Sequence, residues 1–156
     1  MKGVFSTKNR SFRSVLALVL CLLAFQGCTP KNQNDAAERY VNQELGFSVE
    51  FPGTWKDKYT VETNPSDESG SSVVVSTTWG GTLCYVFRYT TEEWAESGYG
   101  ESIPVEYRVS GKSDHYVYLM LFPGDVQYDP GNEEQVDTYN EMRTDLLSSN
   151  FEIIGT

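Results

Sequence analysis

Acidic, aromatic and thiol side chains are the groups in this 156-residue chain with chemistry to offer, beside a single histidine. The acids concentrate in Asp125-Val-Gln-Tyr-Asp129-Pro-Gly-Asn-Glu133-Glu134-Gln-Val-Asp137. Asp125, Gln127 and Asp129 alternate as the first oxygen ligands of a calcium loop do, but Pro130 stands where such a loop turns on Gly. Val136 stands where the bidentate Glu belongs, so this is no EF-hand. A looser calcium site on Asp125, Asp129 and Glu133 is one reading. The other is a solvated loop whose Glu133 and Glu134 favour the positive end of a helix. Among the aromatics, Trp79 adjoins Gly80-Gly81, Tyr99 lies between Gly98 and Gly100, and Trp94 is close by in sequence. Loops of this kind expose side chains, and an exposed Trp79, Trp94 and Tyr99 would present flat rings to a sugar or another small ligand. His115 beside Asp114 reads as a turn residue at a strand end rather than as a base for a serine. Cys84, flanked by Leu83 and Tyr85-Val-Phe87, reads as a buried, inert thiol. Phosphate-binding and dinucleotide glycine loops, the Gly-x-Ser-x-Gly elbow, His-Glu-x-x-His and Cys-x-x-Cys are all missing. The expectation is a protein that is not an enzyme and needs no cofactor.

The remaining cysteines belong to an address. Residues 1–13 carry Lys2, Lys8, Arg10 and Arg13 and no acid. An uncharged apolar run, Val15 to Phe25, follows, and then Gln26-Gly27-Cys28. A basic start, a short apolar middle and a small residue before the cut describe a secretory leader over residues 1–27. Eleven apolar residues fall well short of the roughly 20 that a spanning helix needs. Phe25-Gln26-Gly27-Cys28 resembles a bacterial lipobox at Gly27 and Cys28. The resemblance implies that Cys28 becomes the mature N-terminus, with a diacylglyceryl group on its sulfur and an acyl chain such as palmitate on its amine. Anchoring of that kind is stable, because each buried methylene contributes about 0.8 kcal/mol and two or more chains act together. The implied location is the outer face of the cell membrane, lipid-anchored.

Removal of the leader leaves 129 residues, enough for one small domain. Eight basic and 22 acidic side chains follow residue 27, a formal charge of −14 against −10 for the whole chain. Such a surface repels phosphate backbones, which excludes a nucleic-acid partner. Residues 28–39, the lipidated cysteine and a polar run ending in Ala-Ala-Glu-Arg39, read as a tether, and residues 40–156 as a single domain.

Within that domain, Phe47, Val49 and Phe51 alternate with Ser48 and Glu50, a half-buried strand ended by Pro52-Gly53. Residues 59–63 alternate again, and residues 64–70 are turn-rich. Val73–Val75 and Leu83–Tyr89 form a hairpin across Gly80-Gly81. Thr90 and Glu93 have capping-box spacing and open a short helix over 91–97. Strands are expected over 105–109 and 115–122, a long helix over 133–149 with Val136, Tyr139, Met142 or Arg143, Leu146 and Leu147 on one face, and a last strand over 151–154. Residues 115–122 are apolar on both faces and belong mid-sheet, whereas 47–51 and 105–109 show one apolar face and suggest edges. The fold class expected is α+β, a mostly antiparallel sheet covered by helices or loops on both faces.

The segment Tyr40-Val-Asn-Gln-Glu-Leu-Gly-Phe-Ser-Val-Glu-Phe-Pro-Gly-Thr-Trp55 resembles the opening of PsbP-like domains, which share the Ran-binding Mog-type fold, and it is similar to small acidic lipoproteins of Gram-positive bacteria. Tyr128-Asp129-Pro130 before the last helix fits the same pattern. The resemblance implies an α/β/α sandwich over residues 40–154 and an accessory role in binding a larger assembly. It brings no site residues with it. By themselves, Phe47, Phe51 and Trp55 read as core aromatics. Together these features predict a lipid-anchored accessory module that binds another envelope protein. A wall-glycan or small-ligand module on Trp79, Trp94 and Tyr99 is the alternative, and a calcium-binding domain the next.

Overall fold

The computed structural model describes residues 36–64, 72–99 and 105–155, all within one compact unit spanning residues 34–156. The leader, Cys28 and the turn-rich stretch 65–70 lie outside the described residues. Strands β1 (Glu38–Asn42) and β2 (Phe47–Phe51) form a hairpin, followed by a single 3-10 turn, Gly53–Trp55. Then come β3 (Tyr59–Asn64), β4 (Ser72–Thr77), β5 (Thr82–Thr90) and helix α1 (Thr91–Glu96). Strands β6 (Tyr107–Lys112) and β7 (Tyr116–Leu121), helix α2 (Glu133–Ser148) and β8 (Phe151–Ile153) complete the chain. Every strand pair is antiparallel.

The strands make two sheets rather than one: β1-β2-β8, and β3-β4-β5-β7-β6. The two-faced apolar strand β7 is indeed interior, between β5 and β6. Strand β2 is not an edge, as its alternation suggested. It is central in the smaller sheet, because alternation reports which face meets water and says nothing of pairing order. Its outward Ser48 is nonetheless buried, taking two hydrogen bonds from the Arg39 guanidinium (3.1 and 2.9 Å). The same Arg39 pairs with Glu152 of β8. Glu38 and Arg39, expected in the tether, pair with β2 as the first residues of β1. Strand β6 is an edge as expected, but runs over 107–112 instead of 105–109, because its ladder to β7 continues across a bulge past Val109.

Helix α2 matches its periodicity closely. Tyr139, Met142 and Leu146 point into the core, while Leu147, expected on that face, is 40% exposed because its position has rotated past the sheet. The core lies between the inner face of the five-stranded sheet (Val73, Val75, Cys84, Val86, Tyr118, Met120) and a layer formed by the three-stranded sheet and α2. A bulge between Val75 and Ser76 leaves Leu83 unpaired, and Leu83 and Cys84 are both fully buried. Phe47 packs on Tyr118 (6.0 Å) and stacks on Phe151 (5.1 Å), which joins the two sheets. The Tyr118 hydroxyl donates to the Leu45 carbonyl (2.7 Å) in the β1–β2 turn. That turn needs Gly46, whose φ is +73° and whose added Cβ would meet the Ile154 carbonyl at 3.1 Å.

The Gly-Phe-Ser…Pro…Trp segment is core, as its aromatics implied. Phe51 stacks on Trp55 (5.1 Å, 12°), Tyr59 meets both edge-on, and the Trp55 indole donates to Asp145 of α2 (3.0 Å). Helix α2 has no basic residue in its last turn. Arg108 of β6 supplies the charge instead, donating to the carbonyls of Leu146 (3.0 Å), Leu147 (3.2 Å) and Ser149 (3.0 Å).

Candidate functional site

The sequence candidates gather at opposite ends of β5. A nine-residue strand is roughly 26 Å long at 3.3 Å per residue, so Trp79 before it is well separated from Trp94 and Tyr99 after it. They form two surfaces, not one row.

At the far end, Thr90 caps α1 with both halves of a capping box. Its hydroxyl accepts from the Glu93 N–H (3.1 Å), and the Glu93 carboxylate accepts from the Thr90 N–H (2.7 Å). That bond holds the Glu93 carboxyl below its usual pKa. Beyond the helix, Ser97 fastens the next turn: its hydroxyl donates to the Trp94 carbonyl (2.7 Å) and accepts from the Tyr99 N–H (3.2 Å). The result is a stacked pair, Trp94 and Tyr99, with ring centres 5.6 Å apart and planes within 2° of parallel. Tyr89 supports both rings, at 6.1 and 5.9 Å, and Tyr107 meets Tyr99 edge-on at 5.7 Å. Tyr85 and Phe87 extend the line along the outer face of β5. Trp94, Tyr99 and Tyr107 are half-buried. Tyr89 and Tyr107 were missed from the sequence. The alternation of Tyr85, Phe87 and Tyr89 already placed three aromatics on one face, and was the available signal.

At the near end, Trp79 sits at the tip of the β4–β5 turn and is 36% exposed. Thr77 closes this turn through its hydroxyl, which accepts from the Gly81 N–H (2.9 Å). The segment before α2 lies directly on Gly81: an added Cβ would stand 2.2 Å from the Gln127 carbonyl oxygen. The Gln127 side-chain oxygen accepts from the Thr82 N–H (3.1 Å), and the Gln135 side-chain oxygen from the Asp129 N–H (3.0 Å). A shallow cleft of about 430 Å³ opens between the turn and this segment, lined by Trp79, Gly80, Gln127, Tyr128, Asp129 and Gln135. Val126, 61% exposed, stands at its rim. Sequence reasoning reached Gln127 only as an oxygen of a calcium loop and Gln135 not at all, because the backbone partners of both amides are fixed only by the fold.

The acids of this segment have structural tasks. Asp129 accepts from the Gly131 N–H (2.9 Å), Asn132 caps α2 by accepting from the Gln135 N–H (3.2 Å), and Glu133 lies in the first helical turn. Among the described residues, no three His, Cys, Asp or Glu side chains converge as a metal site would require, so Asp125, Asp129 and Glu133 form no preassembled calcium cage. His115 is exposed in the β6–β7 turn, where its N–H and that of Tyr116 donate to the Ser113 hydroxyl. Among the described residues, no helix is long and apolar enough to cross a membrane.

Cys84 is fully buried, and desolvation pushes its thiol up to about 12 from 9.0. The folded protein therefore keeps a proton that the unfolded chain releases above about pH 9. Stability from this group is complete below pH 9 and falls by up to about 1.4 kcal/mol per pH unit between 9 and 12. Burial raises the Tyr118 and Tyr139 phenols in the same direction, but these act only above pH 10. Urea midpoints should drop between pH 8.5 and pH 10 in the wild type and drop less in Cys84→Ala. A thiol that reacts with a disulfide reagent as fast in the folded as in the unfolded protein would contradict this.

No protein-family model, curated protein or solved structure matches the chain.

Proposed function

We propose that this chain is a lipid-anchored lipoprotein on the outer face of the cell membrane, whose domain is a non-catalytic module that docks another envelope protein. The observation that carries the docking role is the stacked Trp94–Tyr99 pair, held half-exposed on a capped helix and the turn that follows it, and braced by Tyr89 and Tyr107. Rigid aromatics of this kind lose little entropy on binding and make the anchors of protein interfaces. Anchoring is supported by the basic leader and by Gly27-Cys28. An acidic surface fits a partner with a basic face, and the domain's four arginines leave it little to neutralise itself. Arg39 and Arg143 pair with Glu152 and Glu106, while Arg88 and Arg108 donate to backbone carbonyls. The finer architecture belongs to this proposal: a PsbP-like α/β/α sandwich, supported by α2 over the inner face and by the Tyr89–Trp94 contact that brings α1 to the outer one.

Two measurements test the two parts. Mass spectrometry of the native protein should find a diacylglyceryl adduct on Cys28. The Cys28→Ser variant should go unprocessed or leave the membrane fraction, and its normal processing and retention after a carbonate wash would refute the anchor. For docking, cross-linking in intact cells should trap one recurrent partner, and Trp94→Ala with Tyr99→Ala should lose it at unchanged protein level. A cross-link pattern indifferent to that pair would refute the docking face.

A further inference from the structure

We infer that the cleft between the β4–β5 turn and the segment before α2 binds a neutral glycan, with a pyranose ring stacked on Trp79. This goes beyond the docking role and does not depend on it, since the cleft lies at the other end of β5. The first support is Trp79 itself. A 36%-exposed indole on a two-glycine turn, lining the cleft, offers a flat apolar surface. The C–H face of a pyranose is the matching surface.

The second support is the orientation of two carboxamides. Backbone N–H groups only donate, so the atoms facing Thr82 N–H and Asp129 N–H must be the side-chain oxygens of Gln127 and Gln135. Each Nε2 is then left as a donor beside the cleft. The Asp129 carboxylate, with one oxygen held by the Gly131 N–H, adds an acceptor. Two amide donors, a carboxylate acceptor and an aromatic platform suit vicinal hydroxyls, which both donate and accept. Phosphate or sulfate is disfavoured by Asp125, Asp129, Glu133 and Glu134 nearby. A quaternary ammonium would meet the indole but leave the two amide donors without acceptors. The cleft's volume of about 430 Å³ falls in the range of roughly 300–1,000 Å³ usual for small-molecule sites. Its parts are preorganised, because the Gln127 carbonyl rests on Gly81 and the turn is closed by Thr77.

The test is titration of the full chain in detergent with soluble neutral oligosaccharides, chitotetraose and cellotetraose, followed by calorimetry and tryptophan fluorescence. Saturable binding of one of them is expected, with Kd on the order of 0.1–1 mM for so open a cleft. Trp79→Ala should weaken it at least about tenfold. Gln135→Glu keeps the oxygen that serves Asp129 N–H but replaces the donor, so it should weaken binding about fivefold or more while leaving the urea midpoint unchanged. Trp94→Ala should bind as the wild type does, which separates this site from the docking face. No saturable binding up to about 10 mM would overturn the inference. So would affinity unchanged by Trp79→Ala, or saturable binding of tetramethylammonium in place of the sugars.

Discussion

Trp55→Ala should destabilise the domain by about 3–5 kcal/mol, the largest single effect expected of any substitution. Trp55 is fully buried, stacks on Phe51, meets Tyr59 edge-on and donates to Asp145. Alanine removes the ring from between the 3-10 turn, β3 and α2, and a rigid surround collapses only in part around the space left. For a domain of this size the melting point should fall by roughly 12–20 °C. Trp55→Phe separates the contributions. It keeps the stack and loses the indole N–H, so it should cost about 1 kcal/mol from the hydrogen bond plus a smaller packing loss. The check is urea unfolding followed by circular dichroism. A Trp55→Ala protein within 1 kcal/mol of wild type would mean that this aromatic cluster is not the keystone of the core.

Arg108→Met should cost about 2–3 kcal/mol, although Arg108 makes no ion pair among the described residues. Its guanidinium donates to three backbone carbonyls at and beyond the C-terminal end of α2, where no residue of the helix itself supplies positive charge. Methionine keeps the apolar stem and removes only the charge and donors, so the loss reads the helix end directly. Arg108→Lys keeps the charge without the fork and should recover about half. Equilibrium unfolding measures both, and hydrogen exchange at the last turn of α2 should rise specifically. Equal stability of Arg108→Met and wild type would show that water serves those carbonyls as well as the guanidinium does.

Both effects connect distant parts of the chain, which bears on how much of the molecule was readable in advance. Local patterns read well. Thr90 and Glu93 announced the capping box, and residues 133–149 announced a helix, found over Glu133–Ser148, by period and by the acids of the first turn. Gly80-Gly81 between two apolar runs announced the β4–β5 hairpin, and the flanking apolar side chains announced a buried Cys84. Each depends on neighbours within a few residues, and steric and hydrogen-bond preferences at that range are properties of the chain itself.

The arrangement of the sites was not readable in that way. Trp79, Trp94 and Tyr99 looked like one set, and the length of β5 separates them. Trp79 instead joins Gln127, Asp129 and Gln135, which follow it by some fifty residues. Likewise, alternation in β2 told which side is wet but not that β8 returns from the C-terminus to make β2 central.

What the amino-acid order determined alone is the kind of most elements after β1, the excess of acidic side chains and the aromatic identity of the core. What only the tertiary structure decided is the division into two sheets, the helix end served by Arg108 and the grouping of rings and amides into two separate surfaces. The reason is that pairing between distant strands is chosen by the summed burial and hydrogen bonding of the whole domain, and no local window of sequence contains that sum.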